Sequence, residues 1–256
     1  DIIKSQSVYA KTIENENMLY LRVTNFDAKV TADAKRIISE NKDIKGIILD
    51  LRNNPGGLLD QAIGLVNLFV NSGVIVSQRG QKKEENIEYK ADSAKKITNL
   101  PLVVLVNGGS ASASEIVSGA LQDLKRGIIV REKTFGKGSV QAILPISEKE
   151  ALRLTIARYY LPSGRSIQAV GVTPDILVSA GKVATDDETT FSLKEADLKQ
   201  HLQSELDKID TKKDKKEKQD DKKIITKKQI LDDIQLKTAI DGVKILNLTS
   251  NKGDEK

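Results

Sequence analysis

The sequence predicts an α/β fold in which β-strands alternate with α-helices. Two continuous apolar runs, residues 46–51 and 101–106, have the form of strands that are buried on both faces of a sheet. Each run ends in a glycine-containing turn, and a segment with apolar residues at helical spacing follows that turn. This order is typical of the crossover units that build a mostly parallel sheet.

The strands of the predicted core are of two kinds. The first and the last alternate apolar and polar residues, and the four between them are short apolar runs. They are predicted at residues 18–23, 46–51, 73–76, 101–106, 127–130 and 151–160. A polar excursion over residues 78–96 carries no predicted element.

Three helices are predicted between these strands, at residues 32–40, 58–70 and 113–124. The first has Ala34, Ile37 and Ile38 at helical spacing. The second ends where the sequence reaches Gly73, and the third opens directly after the turn that follows the strand at 101–106.

The chain changes character after about residue 182, where the predicted core over residues 1–182 ends. Residues 183–206 have the spacing of an amphipathic helical extension. Residues 207–223 are nearly all Lys, Asp, Glu and Gln, with Ile209 as the one large apolar residue, and they indicate a charged flexible linker over residues 207–226. Residues 227–256 regain helical spacing. This C-terminal helix must bury its apolar face against either the core or a partner subunit. Homo-oligomerisation through it is therefore one hypothesis.

Composition excludes several classes of function. The absence of Cys argues against disulfides, a thiol nucleophile and a thiolate metal site, and no metal or other cofactor is expected. The net charge of +5 is spread among acidic residues, and only 4% of residues are aromatic, so no nucleic-acid partner is expected. The chain begins at Asp1 without an initiator Met or a signal-peptide pattern, from which we expect a processed or excised piece of a longer protein.

Ser112 is the candidate nucleophile because it opens a helix directly after a strand and a Gly-Gly turn. Backbone N–H groups point outward at a helix N-terminus and favour developing negative charge, as an oxyanion hole requires. The spacing of Ser112 and Glu115 is also that of a capping box, which on this fragment alone is the commoner role. The chain's one His, His201, lies in the late amphipathic segment and is interpreted as a surface residue, so a catalytic base would have to be a lysine.

Lys137 is the candidate base, between Gly136 and Gly138, although a lysine in a surface loop is the simpler interpretation. A phosphate-binding loop is excluded, since Arg131 and Gly138 replace residues that such a loop needs. The turn at residues 54–57 is either an ordinary strand-to-helix connection or a backbone N–H donor to the site.

Four blocks of sequence together resemble the C-terminal processing peptidases, also called tail-specific proteases. The resemblance covers roughly residues 15–180, with the blocks in the family's order and at similar spacing. The blocks are residues 48–57, 109–116, 135–141 and 157–168, and the last runs on into residues 171–176.

The resemblance implies a Ser–Lys dyad on a fold related to the Clp protease and crotonase superfamily. It makes Ser112 the nucleophile, Lys137 the general base and Gln141 the residue that orients the lysine amine. It implies an oxyanion hole formed by the N–H of Ala113 and that of one glycine, Gly56 or Gly57. Family members usually carry a PDZ domain ahead of this core, and the sequence before residue 15 provides none.

The dyad makes a physical demand on Lys137. A lysine free in water has a pKa of about 10.4 and is therefore protonated at neutral pH. Burial disfavours the ammonium form, so the sequence predicts that Lys137 is buried in the active protein.

The predicted function is a serine endopeptidase that cleaves unfolded polypeptides with apolar C-termini. Two alternatives are a catalytically silent scaffold of the same fold that binds peptides by strand addition and an acyl-thioester enzyme of the crotonase type. An adaptor or regulatory protein is a further partner to expect. The resemblance also implies a location outside the cytoplasm, in a bacterial periplasm or cell envelope.

Overall fold

The computed structural model describes residues 6–81, 84, 86–147, 150–183 and 223–250. Its strands are β1 (Val8–Ile13), β2 (Leu19–Val23), β3 (Ile47–Asp50), β4 (Val74–Gly80), β5 (Ile87–Lys90), β6 (Leu102–Val106), β7 (Ile128–Arg131), β8 (Ser139–Pro145), β9 (Ala151–Tyr160), β10 (Ile176–Leu177) and β11 (Ile224–Ile225). Its α-helices are α1 (Val30–Glu40), α2 (Leu59–Asn67), α3 (Ala113–Asp123), α4 (Lys227–Leu231) and α5 (Ile234–Ser250), and a short 3₁₀ helix spans Ser93–Lys95.

The centre of the molecule is a seven-stranded sheet with the order β10-β7-β6-β3-β2-β1-β11. All neighbouring pairs are parallel except β1 and β2. Every residue of β3 and β6 is buried, as expected for strands covered on both faces. The predicted α/β class with crossover units is confirmed by this parallel-rich sheet.

Helices α1, α2 and α3 cover one face of this sheet. Their apolar side chains share one core with inward-facing residues of the central strands, for example Leu49, Val104 and Ile116. Each fully buried Leu or Ile stabilises the fold by roughly 1.5–3 kcal/mol relative to exposure. This packing fixes where β3 and β6 end and hence where the turns that follow them meet.

The opposite face is covered by the C-terminal part of the chain. Leu236, Ala239, Ile240 and Val243 of α5 pack in a second core with Ile48 and with residues of β6 and β7. A Cβ on Gly46 would lie 2.2 Å from Val243, so helix and sheet are in close contact. The C-terminal helix therefore packs apolar residues on the chain's own sheet, which was one of the two possibilities that the sequence left open.

The C-terminal elements differ from the predicted ones in two ways. The predicted linker ends too late, because Ile224 and Ile225 form β11, which pairs with β1. The single helix predicted over 227–256 is two helices, α4 and α5, that are separated by Asp232 and Asp233. The helical extension beyond Val183, the rest of the linker and His201 lie outside the described residues.

A second, four-stranded antiparallel sheet has the order β5-β4-β9-β8. The sequence patterns did not predict β1, β5 or β8, and β5 lies within the stretch interpreted as a polar excursion. All residues of β5 are at least partly exposed, so its pairing with β4 leaves no hydrophobic signature. The hairpin of β8 and β9 positions the site, because β8 begins two residues after Lys137.

In the part of the chain described here, no helix is both long enough and apolar enough to span a bilayer.

Candidate active site

Ser112 lies where the turn after β6 enters α3. It is half-buried and has a φ of +55° with a ψ of −111°, a conformation that a residue with a side chain rarely adopts. Ser112 and Glu115 are arranged as the predicted capping box, but only the Glu115 half has hydrogen-bond geometry. Its carboxylate accepts from the Ser112 N–H at 2.8 Å. The strained backbone holds the Ser112 side chain at the helix N-terminus without the usual cap hydrogen bond.

Asn54 joins the turn after β3 to the turn after β6. Its buried side chain donates to the carbonyl of Val23 at 2.9 Å and accepts from the Gly56 N–H at 2.9 Å. Its carbonyl accepts from the N–H of Ala111 and from the hydroxyl of Ser114. These contacts fix the glycine turn against the segment that carries the candidate nucleophile.

The approach of the two turns requires glycine at position 56. A Cβ on Gly56 would lie 2.9 Å from Ser112 Cβ and 3.0 Å from the backbone nitrogen of Ala113. Position 57 also requires glycine, because its φ is +146° and a Cβ there would lie 2.3 Å from the carbonyl oxygen of Phe26. The sequence therefore places backbone rather than side chains around Ser112.

The backbone N–H groups near Ser112 differ in their partners. The Gly56 N–H already donates to Asn54. The N–H groups of Gly57 and Ala113 donate to no acceptor within the described residues. Sequence reasoning left open which of the two glycines donates to the oxyanion hole. The N–H group that lacks an acceptor among these residues makes Gly57 the better candidate donor.

Glu115 connects the Ser112 segment to the loop that carries Lys137. Its fully buried carboxylate accepts four hydrogen bonds, two on each oxygen. Oε2 accepts from the N–H groups of Ser112 and Lys137, each at 2.8 Å. Oε1 accepts from the Thr134 hydroxyl at 2.5 Å and the Gly136 N–H at 2.7 Å.

Sequence reasoning assigned Glu115 only a capping role and missed this connection. The available signal was a charged residue directly followed by an apolar stretch of the helix, a position where burial requires hydrogen-bond partners.

Lys137 is half-buried rather than fully buried as predicted. Gly138 permits its loop to pass close to Gln168, where a Cβ would lie 2.6 Å from the backbone nitrogen. Among the described residues, the Lys137 amine has neither an ion pair nor a hydrogen bond, including none to Ser112. Both residues of the predicted dyad are thus held by Glu115 through their backbones, while their side chains form no direct bond in this structure.

Gln141 is not brought to the lysine amine. It lies on β8 next to a bulge at Val140 and Gln141, and its side chain is exposed. Within the described part of the chain, no hydrogen bond links it to Lys137.

A buried charge network lies at the base of the glycine turn. Asp50 is fully buried, and Arg52 donates to it from Nη2 at 2.6 Å and from Nε at 2.8 Å. Tyr20 Oη donates to Asp50 at 2.6 Å, and burial together with the Asp50 charge raises the pKa of Tyr20 to about 12. Burial opposes the charge of Arg52, but Asp50 and Asp233 outweigh it and hold the pKa of Arg52 above its ordinary value. Sequence reasoning missed this network.

No group of acidic or histidine side chains with the arrangement of a metal site occurs in the described segments.

Known proteins resemble this chain over most of its core. Residues 17–178, more than half of the 256, match the model of peptidase family S41. A carboxy-terminal-processing protease of Bartonella bacilliformis is 45% identical over 79% of this chain and 48% of its own length. A chloroplastic C-terminal processing peptidase of Tetradesmus obliquus is 39% identical over 65% of this chain and 36% of its own.

A solved structure is similar as well. The photosystem II D1 C-terminal processing protease matches with a TM-score of 0.60 and 33% identity, over 69% of this chain and 49% of that chain. The present chain spans about half, or less, of the length of these relatives.

Proposed function

Because this chain belongs to peptidase family S41, we propose that it is the catalytic core of a serine endopeptidase that cleaves polypeptides near their C-termini. The observation that carries the proposal is the placement of Ser112 on a strained backbone at a helix N-terminus, beside two backbone N–H groups that have no acceptor among the described residues. Relatives named as carboxy-terminal-processing proteases support the reaction class. The substrates we propose are unfolded polypeptides with apolar C-termini.

In the proposed mechanism, the neutral amine of Lys137 takes the proton of the Ser112 hydroxyl as its oxygen attacks the scissile carbonyl. The resulting ammonium returns the proton to the leaving amine, and an acyl-enzyme remains. Water then attacks the ester with the lysine again acting as base. A bound polypeptide would cover the half-buried Lys137 side chain and so favour the neutral amine.

Gly57 and Ala113 are proposed to donate the N–H groups of the oxyanion hole, because both are unbonded within the described residues. The Gly56 N–H is held by Asn54 and should therefore exchange slowly with solvent in the free protein. We expect the Gly57 and Ala113 amides to exchange faster, and to become protected when a peptide boronate forms a tetrahedral adduct with Ser112. Amide exchange followed by NMR measures this, and protection gained only at Gly56 would contradict the assignment.

The proposed activity is tested by incubating the chain with a reduced, unfolded protein that ends in apolar residues. Mass spectrometry of the products is expected to place the cleavage sites near the C-terminus. A Ser112→Ala variant, purified in the same way, should show no cleavage and controls for a contaminating peptidase. Binding of the unfolded protein without cleavage by the parent chain would instead indicate a peptide-binding scaffold.

A location outside the cytoplasm is part of the proposal and rests on the family resemblance. Fractionation of the source cells, followed by immunodetection of the protein, tests it. Recovery with the cytoplasmic fraction would contradict it.

A further inference from the structure

The segment after residue 222 reaches the active-site turn through one side chain. Arg52 precedes the turn at residues 53–57, and its Nη1 donates to Asp233 Oδ2 at 2.7 Å and to Gln235 at 3.3 Å. Its other nitrogens hold Asp50, at the end of β3. Arg52 thus links the strand that leads into the glycine turn to residues about 180 positions later in the chain.

Asp233 is fixed at this place by its own backbone role. Its Oδ1 accepts from the N–H groups of Gln235 and Leu236, each at 3.1 Å, so Asp233 caps the start of α5. Helix α5 in turn packs its apolar face on the central sheet. One oxygen of Asp233 is therefore tied to the core through α5, and the other is available to hold Arg52.

The ion pair between Arg52 and Asp233 is expected to be stronger than a pair on the open surface. The Arg52 and Asp233 side chains are 12% and 29% exposed, so solvent screens their attraction less than that of a surface pair. Arg52 has carboxylates on both sides, and loss of one would leave a largely buried guanidinium incompletely paired. Both residues also line an open cavity of about 540 Å³, where water can reach them when the pair is broken.

We propose that Asp233 is a positioning residue of the active site. Asp233 holds Arg52, and Arg52 in turn holds the turn that carries Gly56 and Gly57. The C-terminal segment therefore helps to position the active site. The consequence for catalysis rests on the proposed peptidase function, whereas the mechanical link from Asp233 to the turn does not.

The test is Asp233→Asn in the full chain, compared with Asp232→Asn. Asn caps helices about as well as Asp. The first variant therefore removes the negative charge that faces Arg52 and keeps the start of α5. The control removes the neighbouring carboxylate, whose partner is Lys182 in a pair that is 49% and 79% exposed.

Hydrogen exchange of the peptide that covers residues 53–58 is measured first, with the amides of α1 as an internal reference for global stability. Asp233→Asn is expected to speed exchange in the turn at least fivefold relative to α1, and Asp232→Asn is expected to leave it unchanged. Unchanged exchange in the Asp233 variant overturns the proposal, whether or not the parent chain cleaves a substrate.

Kinetics with a peptide substrate then separates positioning from simple stability. We expect kcat of Asp233→Asn to fall about tenfold with KM within about twofold, because the turn stabilises the transition state more than the bound substrate. A parental kcat would overturn the catalytic part of the proposal. Faster exchange together with an inactive parent chain would contradict the proposed function and still support the link.

Discussion

Replacing Lys137 by Arg is expected to reduce the cleavage rate on the order of 10³-fold, although a long basic side chain remains at this position. Arginine cannot be deprotonated in proteins, so it cannot accept the proton of the Ser112 hydroxyl. The contribution of a general base is typically 10²–10⁴-fold, and little cleavage should remain without it. The rate is measured with a fluorogenic peptide under single-turnover conditions.

Lys133→Arg is the matched control, since Lys133 is an exposed lysine of the same loop. It should cleave at the parental rate. Full activity of Lys137→Arg would reject the Ser–Lys dyad and require another base.

The fold could be predicted where hydrophobic patterning decides structure. Strands β3 and β6 are buried on both faces and therefore appear in the sequence as continuous apolar runs. Strand β5 and the two-residue strand β11 could not be predicted in this way. They are held by pairing with β4 and β1, and such hydrogen bonds leave no pattern in the side chains.

Some residues of the candidate site could likewise be predicted from local sequence, and others could not. The positions of Ser112, Gly56 and Gly57 follow from motifs at the ends of strands, and the structure brings these residues together. The roles of Glu115 and Arg52 depend on contacts across the chain, to Lys137 in one case and to Asp233 in the other. Local sequence cannot reveal such partners. Gln141 stays a prediction from the family resemblance, since the structure leaves its side chain exposed.

Glu115→Gln is expected to lower both stability and activity, because the four groups that meet this carboxylate are all donors. A glutamine has one oxygen and one NH₂ group at this place. With NH₂ in place of Oε2, it faces the N–H groups of Ser112 and Lys137. In the other orientation it faces the N–H of Gly136 and the Thr134 hydroxyl. Either orientation leaves at least one buried backbone N–H unsatisfied and removes charge-assisted hydrogen bonds.

We expect the free energy of unfolding of Glu115→Gln to fall by about 3 kcal/mol in urea titrations. The cleavage rate should fall more than about tenfold even where the variant is fully folded, because Ser112 and Lys137 lose their common support. Glu40→Gln is the control, since that side chain is largely exposed on α1 and should change stability by less than about 0.5 kcal/mol. If Glu115→Gln matched the parent in stability and cleavage, the Ser112 and Lys137 segments would have to be aligned by other contacts, and the buried carboxylate would be only a helix cap.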